Sequence, residues 1–234
     1  EKLTTAYHEA GHVIVGRLLP DADPVHKVTI VPRGPSLGLT SMLPAEDRHN
    51  LSKSFCLAQL RVMMGGRAAE DLIFGEFTSG ASNDLKVATD MAHAMVCQWG
   101  MSDLGPISFG HNTEVFLGRD FVRERDFSEE TAAAVDKTIH AFLDEAYADA
   151  KEICREHEKV LRALAEQLFE KETLEAREID EIIAKVGGKD LLPSRREKEK
   201  DITPKRPVTV APSHAPETPD VEPMGPGDVV PGTA

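Results

Sequence analysis

The stretch Thr5-Ala6-Tyr7-His8-Glu9-Ala10-Gly11-His12-Val13-Ile14-Val15-Gly16 decides how the rest of this chain is read. Ala6, Ala10, Val13 and Ile14 recur at three- and four-residue spacing, the period of a helix with one apolar face. That pattern runs over residues 3–19, and Pro20 and Pro24 end it. Into this apolar helix are set two histidines and a glutamate. His8 and His12 lie four positions apart, about 40° around the helix, so both imidazoles share a face. Glu9 stands about 100° from His8, within reach of anything the two imidazoles hold. An exposed polar turn would also explain three titratable groups, but the small and aliphatic residues flanking them are wrong for exposure. Gly11 costs a helix interior ~1 kcal/mol relative to Ala, which points to close approach of another group.

Two imidazoles at this spacing with a glutamate directly after the first make H-E-x-x-H, in which both histidines bind Zn²⁺ and the glutamate is general base to a zinc-bound water. The reaction implied is attack on an amide carbonyl at neutral pH. A catalytic zinc takes three protein ligands and keeps one position open. The extended pattern that supplies a third histidine fails, because Val15 stands where its glycine belongs and Leu18 where its last histidine belongs. Downstream candidates are Glu70, Asp71, Asp84, Asp90 and His93. Glu70 and Asp71 fall on a helix over residues 51–73, where a solvated face is the plain alternative. Asp84 falls in the first turn of a helix after the loop Gly75-Glu76-Phe77-Thr78-Ser79-Gly80-Ala81, where an acid also complements the helix dipole. Position favours Asp84 over Glu70 without excluding it.

Outward from the motif, the chain reads as mainly helical. His26-Lys27-Val28-Thr29-Ile30-Val31 and Leu39-Thr40-Ser41-Met42-Leu43 are β-rich and flank the turn Arg33-Gly34-Pro35-Ser36, a hairpin or two neighbouring strands. Helical patterns follow over 51–73, 82–99, 129–158, 158–171 and 174–186. Gly65-Gly66 interrupts the first of these, and close backbone packing is the expected reason. Residues 100–127 read as irregular, broken by Gly100, Gly105-Pro106, Gly110 and Gly118.

The 234 residues carry a net charge of −13, which argues against nucleic acid as a partner, since phosphate binding needs clustered Lys and Arg. Residues 128–192 hold 17 acidic and 9 basic side chains and so much of that excess. Cys56, Cys97 and Cys154 are too sparse for a disulfide framework. No run of eighteen apolar residues occurs. From Pro193 the composition changes: the last 42 residues hold nine of the fifteen prolines and no aromatic residue, so 193–234 is expected to be a disordered tail behind a peptidase domain at 1–192. The opening Glu1-Lys2-Leu3 enters a helical pattern at once and reads as part of something longer.

The run Thr4-Thr5-Ala6-Tyr7-His8-Glu9-Ala10-Gly11-His12 resembles the peptidase domain of the FtsH family of membrane-anchored, ATP-dependent zinc proteases. The likeness continues through Lys27-Val28-Thr29-Ile30-Val31-Pro32-Arg33-Gly34, Gly65-Gly66-Arg67-Ala68-Ala69-Glu70, Thr78-Ser79-Gly80-Ala81-Ser82-Asn83-Asp84-Leu85 and Gln98-Trp99-Gly100-Met101-Ser102, covering about residues 1–190. The resemblance implies a zinc site of His8, His12 and Asp84, with Glu9 as base. It implies a largely helical, homohexameric ring with residues 128–190 as its C-terminal helical part. Substrates would be unfolded or membrane proteins, bound as an added strand beside Gly38-Leu39-Thr40-Ser41-Met42. In that family transmembrane segments anchor the protein at the cell membrane, with the peptidase on the cytoplasmic side, and ATP binds an AAA+ module. Neither those segments nor a G-x-x-x-x-G-K-[ST] loop is present here. The competing class is a non-catalytic helical ring with a structural metal, but a closed site needs a fourth ligand, which the sequence does not offer, and Glu9 would be idle in it.

If the tail takes no part in folding, truncation after Leu192 is expected to leave the melting temperature and the metal content unchanged. Protected amides across 193–234 in hydrogen exchange would contradict that.

Overall fold

A computed structural model of the chain describes residues 1–32, 38–42, 50–109, 127–188 and 191–192. It is mainly α-helical, with six helices and a small antiparallel sheet among the described residues. Helix α1, Lys2–Leu18, is the centre: every residue from Ala6 to Arg17 is buried, which is what an apolar stripe interrupted only by small residues requires. Helix α2, Lys53–Phe74, lies against it, started by Ser52, whose hydroxyl accepts from the Phe55 N–H, and ended by Gly75 at φ 67°.

The α1–α2 crossing is made backbone to backbone. A methyl group at Gly11 would collide with the Gly65 carbonyl oxygen, and one at Gly65 would sit 2.7 Å from the Gly11 oxygen. The two glycines that weaken their own helices therefore let the axes come closer than any side chain would permit. Both were expected to mark such an approach, and they mark the same one.

Helix α3, Ser82–Cys97, packs on α2. Helix α4, Glu129–Glu156, begins at Ser128, whose side chain accepts from the Thr131 N–H, and lies along α2 and α3. Side chains of α4 bond to α2, where Arg61 pairs with Asp149 at 2.6 Å and Tyr147 donates to Asp71 at 2.6 Å. Helix α5, Glu158–Lys171, covers α1 with Leu161, Leu164 and Leu168, all fully buried. Helix α6, Ala176–Gly187, adds Ile179 and Ile183, and its Asp180 pairs with Arg17 of α1.

Strands β1, Val25–Thr29, and β2, Leu39–Met42, pair antiparallel, with Val28 opposite Thr40 and Thr29 opposite Leu39. The last element expected as helix, 174–186, opens instead with a strand, β3, Thr173–Glu175, which pairs with the other side of β1. The chain turns into β3 at Glu172, which holds φ 63° and whose carbonyl accepts from the Ile30 N–H. A left-handed glutamate carries no turn signature, and a three-residue strand has no periodicity to detect. The sheet order β2-β1-β3 leaves β2 at one edge. The expectations for the turn at 33–36, for most of the irregular stretch 100–127 and for the tail 193–234 fall on residues outside those described.

Gly11→Ala separates two opposed effects. Alone, the change favours a helix by ~1 kcal/mol. Against the rigid Gly65 backbone it is expected instead to destabilise the fold by more than about 2 kcal/mol, read from the midpoint of urea unfolding.

Candidate metal centre

His8 and His12 are both almost fully buried on the α2 side of α1. The His8 imidazole lies over Gly66: a Cβ there would stand 2.5 Å from the His8 Cε1, so a second glycine of α2 clears the space for a ring. His8 Nδ1 then faces Glu70 Oε1 at 2.7 Å, one turn further along α2. Against the Glu70 carboxylate Nδ1 is the donor, which leaves Nε2 as the ring atom a metal would take in place of a proton. His12 does the same against a carbonyl, donating from Nδ1 to Val62 O at 2.7 Å. Both tautomers are thereby set by α2.

Glu70 is not on a solvated face; it is 2% exposed. Besides the His8 proton it accepts from the Thr78 N–H at 3.1 Å and the Thr78 hydroxyl at 2.9 Å. Thr78 in turn caps the short 3-10 turn Ser79–Ala81 that leads into α3. One buried carboxylate thus orients an imidazole and ties down the loop that delivers Asp84. The signal for this was the spacing of Gly66 and Glu70, four residues apart on one face of α2, but a role in orienting His8 was not read from it.

Asp84, in the first turn of α3, is half-buried, with Oδ2 3.2 Å from His8 Nε2 and 3.3 Å from His12 Nε2. The two Nε2 atoms are 3.0 Å apart. One ligand atom from each of the three residues lies within 4.8 Å of the others. The remaining candidates are elsewhere: Asp71 accepts from Tyr147 and Lys151, and Asp90 and His93 are exposed.

The electrostatics favour positive charge between these residues. Burial alone would lower the His8 pKa, but hydrogen bonds to Asp84 and Glu70, with the charges of Glu9 and Asp84, overcome it and raise the value to about 9. Burial likewise opposes ionisation of Asp84, yet the two imidazoles hold its carboxyl well below the usual range. Glu70 is also lowered, its desolvation outweighed by His8 and Thr78.

The donor set fits zinc. Ligands about 2.0–2.1 Å from a tetrahedral ion stand about 3.3 Å apart, close to the three separations measured here. Two imidazole nitrogens and one carboxylate leave the fourth position open, and both histidines have the outer hydrogen-bond partners that zinc-binding imidazoles keep.

Glu9 lies against β2 while its charge still acts on His8. Its Oε2 accepts from the Thr40 hydroxyl at 2.5 Å, and a Cβ at Gly38 would lie 2.5 Å from its Oε1. Of the five residues expected to line a substrate strand, Gly38 and Thr40 thus touch Glu9. Met42 packs by Gly16, Leu39 is exposed, and Ser41 lies opposite Lys27.

The chain matches the model of peptidase family M41 over residues 1–182. It is 53% identical over 195 residues to the ATP-dependent zinc metalloprotease FtsH 4 of Sorangium cellulosum, covering 82% of this chain and 30% of that protein. It is 48% identical over 201 residues to the ATP-dependent zinc metalloprotease FtsH 3 of Symbiobacterium thermophilum, covering 85% and 31%. Against the ATP-dependent zinc metalloprotease FtsH of Acidobacterium capsulatum the identity is 46% over 194 residues, covering 82% and 30%. The chain therefore spans about three-tenths of the length of these curated relatives. With that match running across the helix that carries both histidines and the loop before Asp84, the chain belongs to peptidase family M41, as a metalloprotease domain of the FtsH family.

Proposed function

We propose that this domain cleaves peptide bonds with a zinc ion held by His8 Nε2, His12 Nε2 and a carboxylate oxygen of Asp84, and with Glu9 as general base. The observation that carries this reading is the convergence of those three side chains, each with its ligand atom turned inward by a hydrogen bond or a helix terminus. When bound, zinc supplies a Lewis acid that lowers the pKa of water to roughly 7 and polarises the scissile carbonyl.

The chain's own residues do the rest. Glu70 and Val62 O keep the two imidazoles in the tautomer that offers Nε2. Glu9, next to His8 on the same helix, takes the proton of the attacking water and hands it to the leaving amine. Asp84 lends negative charge that offsets the cation, and its place in the first turn of α3 lets loop 75–81 set its position.

Strand β2 is the proposed substrate edge. It pairs with β1 on one side, and among the described residues its other side has no strand partner. An extended peptide laid there would bond through its backbone, which suits a protease that accepts many sequences. In the same reading residues 1–192 are the peptidase and 193–234 an appendage. ATP would be consumed by an AAA+ module outside this chain, in a homohexamer anchored at the cell membrane with its peptidase on the cytoplasmic side. Its substrates would be unfolded and membrane proteins. The names of the relatives support ATP dependence, zinc and proteolysis, and the family resemblance suggests the rest; no helix among the described residues is long and apolar enough to cross a membrane.

Metal content and turnover test the assignment together. Asp84→Ala is expected to lose stoichiometric zinc, whereas Glu70→Ala should keep it with roughly 10- to 100-fold weaker affinity. The reverse pattern would make Glu70 the ligand. Glu9→Gln should retain zinc and fold while losing about 10²- to 10⁴-fold in kcat. For the strand, a substrate peptide N-methylated at its paired amides should show a KM raised at least about tenfold, and an unchanged KM would remove β2 from substrate binding.

A further inference from the structure

The general base proposed above stands on α1, yet its carboxylate is held from the sheet. Among the described residues, the Glu9 carboxylate receives its hydrogen bond from the Thr40 hydroxyl, at 2.5 Å. That length is typical of an O–H donor on an ionised carboxylate, about twice as strong as a neutral pair. Glu9 is 6% exposed, so solvent does little to replace the contact.

The donor is rigid. Thr40 sits within β2 opposite Val28, and Val28 is buried in the strand at the middle of the sheet. Strand periodicity turns residues 38, 40 and 42 to one side. Gly38 and Thr40 meet Glu9 there, while Met42 reaches Gly16 further along α1. Gly38 matters through what it lacks, because a methyl there would fall 2.5 Å from Glu9 Oε1. The strand approaches the base this closely only because one position has no side chain, and it holds the base through the next position on the same face.

We infer that Thr40 is a positioning residue for Glu9: its hydroxyl orients the carboxylate for proton transfer, and Gly38 makes the room for it to do so. The inference rests on the reading of Glu9 as general base. Its consequence is that one strand sets two registers. The edge of β2 that has no strand partner among the described residues would align the substrate backbone, and its α1-facing side aligns the base, so base and scissile bond are referred to the same strand. A loose carboxylate would lose that alignment, and misplacement by about 1 Å is enough to cost roughly 100-fold in rate.

The test compares Thr40→Val, Thr40→Ser and Glu9→Gln in the assembled, zinc-loaded, ATP-driven protease with an unfolded protein substrate. Thr40→Val keeps the shape and removes the donor; Thr40→Ser keeps the donor. Thr40→Val is expected to retain zinc and to lower kcat roughly 10- to 100-fold with KM within about twofold of the parent. Thr40→Ser should recover most of that loss, and a crystal structure of Thr40→Val should show the Glu9 carboxylate turned away from β2. A merely structural bond would lower the melting temperature and leave kcat intact. The inference is overturned if Thr40→Val keeps the parental kcat or exceeds it, if its loss falls on KM, or if Thr40→Ser is as slow as Thr40→Val. Should Glu9→Gln turn over like the parent, the general-base reading itself fails, which is a distinct result. Where Thr40→Val does not fold, Gly38→Ala is read in its place, with the same expected fall in kcat at constant KM; parental kcat in that variant overturns the inference.

Discussion

The backbone of α1 at Gly11 rests on the backbone of α2 at Gly65, and the rest of the centre is built on that contact. With the helix axes this close, a His8 ring projecting from α1 meets the surface of α2 at once, and Gly66 accommodates it. One turn on, Glu70 is in reach of His8 Nδ1, and one turn back the Val62 carbonyl is in reach of His12 Nδ1. A side chain at either crossing glycine would push the helices apart by more than a hydrogen bond can stretch, and both imidazoles would lose the partners that choose their tautomers. The conformational cost of glycine inside two helices is offset by that proximity.

Glu70 is the second constraint. A carboxylate 2% exposed is stable as an anion only if its oxygens are saturated with donors, and here a histidine, a backbone N–H and a hydroxyl supply them. Because those donors come from α1 and from the loop before α3, burial of one charge joins three elements. The position of Asp84 is a consequence of this joint as much as of its own helix, since Thr78 both bonds Glu70 and caps the turn that starts α3.

The sheet contributes through its own contacts with α1. A three-stranded sheet is a small element, but β1 packs Val25 and Val28 into the core, which makes β2 a firm edge rather than a loose ribbon. An exposed edge is ordinarily a liability that proteins hide. Here its α1-facing side is engaged with Glu9 through Thr40 and Gly38, so the edge and the proposed general base lie side by side.

Much of this was legible in the one-dimensional pattern. The period of Ala6, Ala10, Val13 and Ile14 determined the central helix, the four-residue spacing put His8 and His12 on one face, and the paired glycines announced a close approach. Glu9, too, was placed by its neighbour. What required the folded chain was everything that depends on separations of tens of residues. Which histidine nitrogens Glu70 and Asp84 each reach follows from a helix crossing and a loop path, neither of which has a local signature. The tautomers follow from partners 50 and 62 residues away. The contact between Thr40 and Glu9 spans 31 residues, and β3 joins β1 across more than 140. Local sequence determines which way a side chain leaves its own helix or strand, because that is set by φ, ψ and period. Only tertiary packing decides what it meets there, because the partner's position is the sum of every helix crossing and loop in between.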